Sequence, residues 1–487
     1  MDASALRDLD TVVDELADWA AASGCEVRRL GVAEPSPIDL EETLAAALAR
    51  PVAAPPLREL ARGRRRAVII TSDATRPVPS HALLGPVMAE LERAGLGAGA
   101  VDVVIGGGAH RLAYPEEIER LLGAEWAGRL RVACHDAQAT GLADLGRTPA
   151  GTPLLVDPRV AAADLRIAFG QVEPHEFAGF TGGRKSILPG VAGETSILAN
   201  HSLANLSHPR ARPGVLEGNP VHEDMLAAMR IVGLDFIVNV VLGGTLEPLA
   251  VAAGEPEAAH QRLVGFVRSY AGLEPPEGTV DVVVTGPGAP LDINLYQSTK
   301  PLVGLQPMVE AMAAGAGAGA RSTTGHGVAS ATDVGRRAVW RPPVVVLLSS
   351  CWDGTGSDDM LRPFRGARGP ADVLARLQER YTVEMNESFN IARFLTVCPH
   401  VVACCPGVGD DVLRQIFFTP AATPQAALEA ALDLATPGVA GWRPSVLFFP
   451  RAQRALFSTE AEDVRPASGG QRRDSDRTTP TTRDLER

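Results

Sequence analysis

The sequence has little cysteine, few aromatic residues and an excess of acid over base. Its 487 residues include 6 cysteines, and aromatic side chains make up 5% of the chain. The cysteines form no CxxC pair and no dense disulfide framework, which indicates a reducing compartment. Lys and Arg number 46 against 58 Asp and Glu, a net charge of −12. This charge repels nucleic acid and anionic membranes, so we expect neither as a partner.

Long apolar runs are also missing. None approaches the roughly 18 to 20 residues needed to cross a bilayer. The first residues, MDASALRDLD, are acidic where a signal peptide is basic. We therefore expect a cytoplasmic protein. With 45% hydrophobic residues, a chain of this length can still bury a large core.

Short β-branched runs alternate with helical patterns along the chain. The runs cover residues 67–71, 101–105, 130–133, 165–169, 236–242, 280–285, 344–348, 401–403 and 446–449. Continuous apolar strands of this kind are typical of parallel sheets covered on both faces. The sequence predicts an α/β protein with two domains, mainly parallel sheets with helices on both faces, and an active site in the cleft between the domains.

Composition suggests where the domains end. A Pro-rich, charged passage at residues 273–278 (LEPPEG) precedes a new strand. We therefore expect an N-terminal domain over 1–275 and a C-terminal domain over 276–460. Residues 313–343 are Gly-, Ala- and Ser-rich at their start and predict a flexible insertion, and the polar residues 461–487 predict a disordered tail.

Two glycine-rich turns resemble nucleotide-binding loops incompletely. The turn GGGAHR at 106–111 follows a strand but lacks the third Gly of the dinucleotide fingerprint. The segment GFTGGRKS at 179–186 has Arg184 where a phosphate-binding loop requires Gly before its Lys. Neither loop favours a dinucleotide-binding or ATPase site.

Histidine in polar or glycine-rich segments is the denser signal. The residues are His110, His135, His175 and His201, and the first three lie near strand ends. Ligands of open α/β sheets bind beyond the carboxyl ends of the strands. Histidine suits proton transfer near neutral pH and also binds Ni, Cu and Zn. One such histidine is more often a structural residue, but a set of four favours a functional site. The spacing of these histidines matches no zinc pattern, so a metal here would need other ligands.

Three further segments carry polar groups with two open interpretations each. Asp73 to Arg76 follow the first strand and either hold a ribose and a phosphate at a helix N-terminus or form a structural cap. Lys185 is a nucleophile or attachment point if it is desolvated, and otherwise an exposed lysine. Gln297 and Lys300 are three residues apart and either clamp a carboxylate or belong to a surface turn.

Taken in order, five segments resemble the lactate racemase family, whose enzymes use a nickel-pincer nucleotide. The segments are SDATRPVPS, GGGAHR, EPHEFAGFTGGRKSILPG, ANHSL and YQSTK. The resemblance covers about residues 60–310 and, more weakly, the chain to about 450. It implies a nickel-pincer nucleotide-dependent racemase or epimerase of a 2-hydroxy acid. The N-terminal domain would bind the cofactor, the C-terminal domain would clamp the substrate, and cofactor-maturation enzymes would be partners.

The resemblance also implies residue roles. Lys185 would carry the cofactor through a thioamide, and His201 would be the nickel ligand from the protein. The cofactor's ribose and phosphate would be held by Asp73, Ala74, Thr75 and Arg76. His110 and His175 would be catalytic, and Tyr296, Gln297 and Lys300 would bind the substrate. Hydride would pass from the substrate Cα to the cofactor while a histidine takes the hydroxyl proton, giving a planar 2-keto acid; hydride return to the other face inverts the centre.

Two departures leave the particular 2-hydroxy acid open, lactate or larger. One is the insertion at 313–343. The other is the segment NESFNIARF at 386–394, which lacks the Trp of lactate-specific members and has Phe389 as its nearest substitute. The alternatives are an NAD-dependent 2-hydroxyacid dehydrogenase and a non-catalytic homologue that binds the hydroxy acid or the cofactor. The sequence does not fix the oligomeric state, and a homo-oligomer remains an option.

Overall fold

A computed structural model describes residues 8–321, 340–436 and 441–457, with the backbone alone for 316–321. The predicted tail at 461–487 and residues 322–339 of the predicted insertion lie outside the described residues. The start of that insertion is helical, because α13 runs over Lys300–Arg321. The Gly- and Ala-rich composition had suggested a flexible segment there, but alanine is the best helix former.

The strands alternate with helices along the chain. The strands are β1 Glu26–Arg29, β2 Ala67–Thr71, β3 Val101–Ile105, β4 Arg131–Cys134, β5 Ala143–Arg147, β6 Pro153–Val156, β7 Leu165–Gln171, β8 Pro174–His175, β9 Gly179–Phe180, β10 Phe236–Leu242, β11 Pro248–Gly254, β12 Gly272–Leu273, β13 Val282–Thr285, β14 Val344–Leu348, β15 Val401–Cys404, β16 Thr419–Pro420, β17 Ser445–Phe448 and β18 Leu456–Phe457. Each of the predicted apolar runs falls on one of these strands.

The helices lie on the sheet faces and in the connections. They are α1 Leu9–Ala22, α2 Leu40–Ala49, α3 Leu57–Leu60, α4 Ser80–Arg93, α5 Pro115–Leu122, α6 Ala124–Arg129, α7 Pro158–Ala162, α8 Glu194–Asn200, α9 Leu203–Leu206, α10 Pro220–Val232, α11 Pro256–Ala271, α12 Leu295–Ser298, α13 Lys300–Arg321, α14 Asp358–Leu361, α15 Pro370–Glu379, α16 Asn386–Val397, α17 Asp410–Gln415 and α18 Pro424–Ala435. None of the helices described is long and apolar enough to cross a membrane.

The first six-stranded sheet has the order β11-β10-β7-β2-β3-β4. Its strands are parallel except for the pairing of β10 with β11. Strand β2 shows why both faces are covered: Ile69 packs into one apolar cluster with α2 and α4, and Val68 and Ile70 pack into another with α10 and α11. Successive side chains of a strand point to opposite faces, so an all-apolar strand needs two apolar layers.

The second six-stranded sheet has the order β1-β17-β13-β14-β15-β16, and all of its pairs are parallel. Val284 faces α1 and α18 on one side, whereas Val283 faces the layer that contains α13 and α16. The same apolar cluster includes Val68 from the first sheet and Val283 from the second. The two sheets therefore share a continuous core, and the α/β class with mainly parallel sheets is confirmed.

Within the described residues, a strand near the start of the chain pairs with one near its end. Strand β1, at Glu26–Arg29, lies beside β17 in the second sheet. The predicted division at residue 275 assigned this segment to the N-terminal domain. Local patterning says that a strand exists but carries no information about a partner more than 400 residues away. The domain limits themselves stay a prediction.

Candidate active site

A cavity of about 580 Å³ lies where the carboxyl ends of strands from both sheets meet. The turns after β2, β3, β7, β13 and β14 all contribute to its wall. Every side chain that the sequence analysis assigned to the site lines it. They are Asp73, Ala74, Thr75, Arg76, His110, His175, Lys185, His201, Tyr296, Gln297 and Lys300. The structure thus brings the set together, while the roles remain predictions.

His110 is held by the carboxylate of Asp73. Its Nδ1 lies 2.8 Å from Asp73 Oδ2. The other oxygen, Oδ1, accepts hydrogen bonds from the backbone N–H and hydroxyl of Thr75, at 3.1 and 2.6 Å. Burial opposes ionisation of Asp73, but His110 and Thr75 together lower the pKa of this carboxyl. The ionised Asp73 fixes the proton of His110 on Nδ1, which leaves Nε2 as an acceptor.

His175 has the opposite arrangement. Its Nδ1 accepts from the backbone N–H groups of Phe177 and Ala178, at 3.4 and 3.3 Å. Burial, followed by the charges of Lys185 and Arg76, holds the pKa of His175 well below its usual range. The ring is therefore neutral with its proton on Nε2. The two candidate catalytic histidines differ in both tautomer and electrostatic surroundings.

His201 follows α8 and presents an unpartnered nitrogen. The residue is buried, and its Nδ1 has no hydrogen-bond partner among the described residues. The ring of Phe177 packs edge-on against it, with centroids 4.8 Å apart. Burial holds the pKa of His201 well below its usual value, so the imidazole is neutral. A neutral nitrogen without a partner, in a residue that lines the cavity, fits a metal such as Ni, Cu or Zn.

The described residues do not provide His201 with a set of further metal ligands. In the described ranges, His, Cys, Asp and Glu form no group of three or more that could hold a metal ion. A metal at His201 would therefore bring its remaining ligands with it. A metal-carrying organic cofactor has that property, whereas a bare ion does not.

Lys185 lies in the same cavity without a carboxylate at ion-pair distance in the described part of the chain. Burial, followed by the charges of Arg184 and Arg76, holds the pKa of Lys185 well below its usual value. Its Nζ lies 5.6 Å from the centroid of the Phe177 ring. A neutral primary amine is the nucleophilic form of lysine, so the site can support a covalent bond at Nζ.

The loop that carries Lys185 is fixed by glycine and by Arg184. Gly179 and Gly182 have φ of +77° and +79°, and a Cβ at Gly179 would lie 2.2 Å from Val215 O. The buried Arg184 guanidinium donates to the carbonyls of Ala178 and Phe180, at 2.7 and 2.9 Å. The sequence analysis used Arg184 only to exclude a phosphate-binding loop. Its observed hydrogen bonds to two backbone carbonyls hold this loop in its conformation.

Lys300 is engaged by two acids. Its Nζ lies 2.7 Å from Glu176 and is also hydrogen-bonded to Glu387. The neighbouring Tyr296 hydroxyl donates to Asn386, at 2.7 Å. Gln297 is buried, and its Oε1 has no partner in the described ranges. Lys300 is therefore not a free cation, although Gln297 retains unused hydrogen-bonding capacity.

Sequence reasoning missed Glu176, Glu387 and Gln171. Glu176 adjoins His175 in the loop already singled out, so its position was a usable signal. Glu387 lies in the first turn of α16, and nothing local marks it as the partner of a lysine 87 residues earlier. Gln171 ends β7 and lines the cavity, with a buried Oε1 that has no partner in the described part of the chain.

Two residues considered earlier lie away from the chemistry. His135 is buried with Nδ1 3.2 Å from Asp157 Oδ2 and Nε2 3.0 Å from the carbonyl of Ala192. Both of its nitrogens are satisfied, so it supports the loop after residue 188. Phe389 packs in the apolar core and is absent from the cavity wall, where the same helix contributes Asn386. Phe389 is thus not a substitute for a cavity-lining Trp.

Comparisons with known proteins agree on one family. Residues 23–214 match the family described as "Lactate racemase N-terminal domain". The chain is 33% identical to the lactate racemase of Thermoanaerobacterium thermosaccharolyticum over 387 residues, which are 78% of this chain and 83% of the relative. It is 37% identical to the lactate racemase of Lactiplantibacillus plantarum over 262 residues, 53% of this chain and 61% of the relative.

Two solved structures share the fold of this chain. The lactate racemase apoprotein from Thermoanaerobacterium thermosaccharolyticum superposes with a TM-score of 0.74 at 29% identity, over 89% of this chain and 94% of that one. A Thermotoga maritima protein shares the fold at a TM-score of 0.61 and 17% identity, over 87% of this chain and 99% of that one.

Proposed function

The chain belongs to the lactate racemase family and is a racemase, and we propose that it interconverts the enantiomers of lactate or a larger 2-hydroxy acid with a nickel-pincer nucleotide as cofactor. The observation that carries the cofactor is the joint presence, in one cavity, of the amine of Lys185, whose pKa is held well below its usual value by burial, and of His201 with its unpartnered Nδ1. These are the two attachments that such a cofactor needs.

The residues that would hold the cofactor lie on the first-sheet side of the cavity. Lys185 would form the covalent link, His201 would bind the nickel, and Arg76 would face the phosphate. No acidic side chain of the described residues lies at ion-pair distance from Arg76, so its charge is available. When bound, the cofactor supplies the carbon that accepts hydride from the substrate Cα. Asp73 contributes through His110, to which its carboxylate is hydrogen-bonded.

His110 and His175 would move the hydroxyl proton. Nε2 of His110 is an acceptor, and the charge of Asp73 stabilises the imidazolium formed when it takes the proton. His175 is neutral beside Lys185 and Arg76. His175 would exchange the hydroxyl proton on the other side of the substrate. Histidines on two sides of the substrate would serve the two enantiomers.

The proposal is tested with protein matured in a nickel-replete host that contains the cofactor-maturation enzymes. We expect a mass adduct on the peptide that contains Lys185 and interconversion of a D/L hydroxy-acid pair. His110→Ala and His175→Ala should lose turnover by at least about 100-fold and keep the adduct. A loaded protein that racemises no member of a broad panel of 2-hydroxy acids would refute the proposal.

A further inference from the structure

Lys300 lies in a cluster with more negative than positive charge. Its Nζ contacts Glu176 and Glu387, so one cation faces two carboxylates. The side chains are 10% exposed for Lys300, 6% for Glu176 and 0% for Glu387. Water therefore screens none of these charges effectively. Glu387 is held further by the hydroxyl of Thr299, which donates to its Oε2 at 2.9 Å.

Two neutral polar groups without partners lie around this cluster. They are Oε1 of Gln297 and the hydroxyl of Tyr381, both buried and unpaired within the described residues. Tyr381 is close enough to Glu387 and Glu176 for their charges to help burial raise its pKa. A tyrosine O–H can donate to a carboxylate, whereas the unpartnered Oε1 of Gln297 can only accept. The Tyr381 hydroxyl is thus an unused donor close to the two carboxylates that hold Lys300.

The charge of the cluster opposes such a ligand. A third carboxylate beside Lys300 would place three negative charges around one positive charge in a site with little water. Like charges at this range are strongly unfavourable, and the usual response is protonation of one of them. The site can accept an anion only if one of its carboxylates takes up a proton or moves away from Lys300.

Glu387 is the acid best placed to take that proton. The titratable groups that face it are Lys300 from α13, Glu176 from the loop between β8 and β9, Tyr296 from α12 and Tyr381. Burial, against the opposing effect of Lys300 and with the help of Glu176, raises the pKa of Glu387 to about 7. Both tyrosines have raised pKa values and stay neutral.

Building on the proposed function, we propose that Lys300 binds the substrate carboxylate together with one proton that Glu387 takes up. Glu387 is a positioning residue in this account, because it acts through Lys300. Binding then has a defined pH dependence. At low pH Glu387 is already protonated and binding is strong. Above neutral pH a proton must be drawn from solvent, and the loss of affinity approaches about tenfold per pH unit once the pH is well above 7.

The test uses 2-hydroxyisobutyrate, which has no hydrogen on Cα and therefore cannot be racemised. Its binding to the cofactor-loaded protein is measured by titration calorimetry between pH 5.5 and 8.5, in pairs of buffers with different ionisation enthalpies. We expect uptake of close to one proton per ligand at pH 8 and almost none at pH 5.5. The affinity at pH 8 should be about fivefold weaker than at pH 7.

Glu387→Gln mimics the protonated acid, and Glu384→Gln is the matched control. Glu384 also lines the cavity, but its carboxylate accepts a hydrogen bond from the Ser357 hydroxyl. Glu387→Gln should bind with a pH-independent affinity and no proton uptake, while Glu384→Gln keeps both effects. A wild type that binds without proton uptake at pH 8 overturns the inference, and so does a Glu387→Gln variant with unchanged uptake.

Racemisation of lactate by the same preparations separates the two proposals. Turnover combined with proton-independent binding overturns only the role of Glu387. Failure of the analogue to bind at any pH overturns the inference, and the proposed function falls with it only if lactate and the wider hydroxy-acid panel also fail to turn over.

Discussion

Three histidines with similar sequence surroundings have different chemistry because their Nδ1 atoms have different partners. In His110 this atom faces the carboxylate of Asp73, and in His175 it accepts backbone N–H groups. In His135 it faces Asp157, while Nε2 is bonded to a carbonyl and is not available for proton transfer. The sequence therefore predicts which histidines gather near strand ends but not which state each one adopts.

Asp73→Asn tests the support given to His110. The amide keeps the shape of the carboxylate but loses the charge that stabilises the imidazolium. We expect kcat for racemisation to fall about 100-fold, with KM changed by less than about threefold. Steady-state kinetics from both enantiomers measures this effect.

Asp144→Asn, on the exposed edge of β5, is the control for the substitution itself. It should leave both constants unchanged. An Asp73→Asn variant with wild-type kcat would show that this carboxylate does not support proton transfer.

At the scale of elements, the segment from β8 through the glycine-rich loop to Gly190 contributes many of the residues that line the cavity. The sequence indicated a functional loop from its charge and glycine content. It could not indicate that Arg184 turns inward, because a buried arginine needs acceptors that come from the folded loop itself. Both of those acceptors, the carbonyls of Ala178 and Phe180, are backbone atoms and leave no mark in the sequence.

Gly182→Ala tests the strained backbone of this loop. Gly182 has φ +79° and ψ 179°, and a Cβ there would lie 2.9 Å from the carbonyl oxygen of Gln171. This region of backbone conformation is nearly restricted to glycine, so we expect a loss of about 1–3 kcal/mol in the free energy of unfolding. Turnover should fall as well, because Lys185 is three residues away. Urea denaturation and the racemisation assay measure the two effects.

Gly265→Ala is the contrasting control. Gly265 lies inside α11, and a Cβ there would meet nothing within 4 Å. Alanine should raise stability by about 0.5–1 kcal/mol, because it restricts the unfolded chain and favours helix. Equal destabilisation by the two substitutions would mean that the loop conformation of Gly182 is not required.

At the scale of the whole molecule, local patterns predicted the α/β class and nine of the strands, but not the way the two sheets are completed. The apolar runs of β2, β3 and β14 are buried on both faces, so their continuous apolar character identified them. The partnership of β1 with β17 depends on contacts between the two ends of the chain. The same limit applies to Lys300 and Glu387, which are brought together by tertiary packing.

The stability of the protein should fall in acid, and His222 should account for part of the loss. Burial lowers the pKa of His222 to about 3, against 6.5 for an exposed histidine. The unfolded chain therefore binds this proton first, so the stability from neutral His222 is present above pH 6.5 and is lost as the pH falls toward 3.

The measurement is urea denaturation of wild type and His222→Gln at pH 7 and pH 5. We expect the variant to lose about 2 kcal/mol less than wild type between these values. Glu387 has the opposite effect on the pH dependence of the free energy of unfolding, because its stabilisation is lost as the pH rises through about 7. Glu387 is present in both proteins, so its effect cancels in the difference between them. Identical losses in the two proteins would contradict a neutral, buried His222.

The most direct test of the central claim is racemisation of L-lactate, or of the best substrate from the panel, carrying deuterium on Cα. Chiral chromatography with mass detection follows the opposite enantiomer formed by the cofactor-loaded protein. The account predicts that this product appears and keeps its deuterium, because the transferred hydride is returned to the same carbon without exchange with water. A product that has lost its deuterium to solvent, or no product at all, would contradict the account.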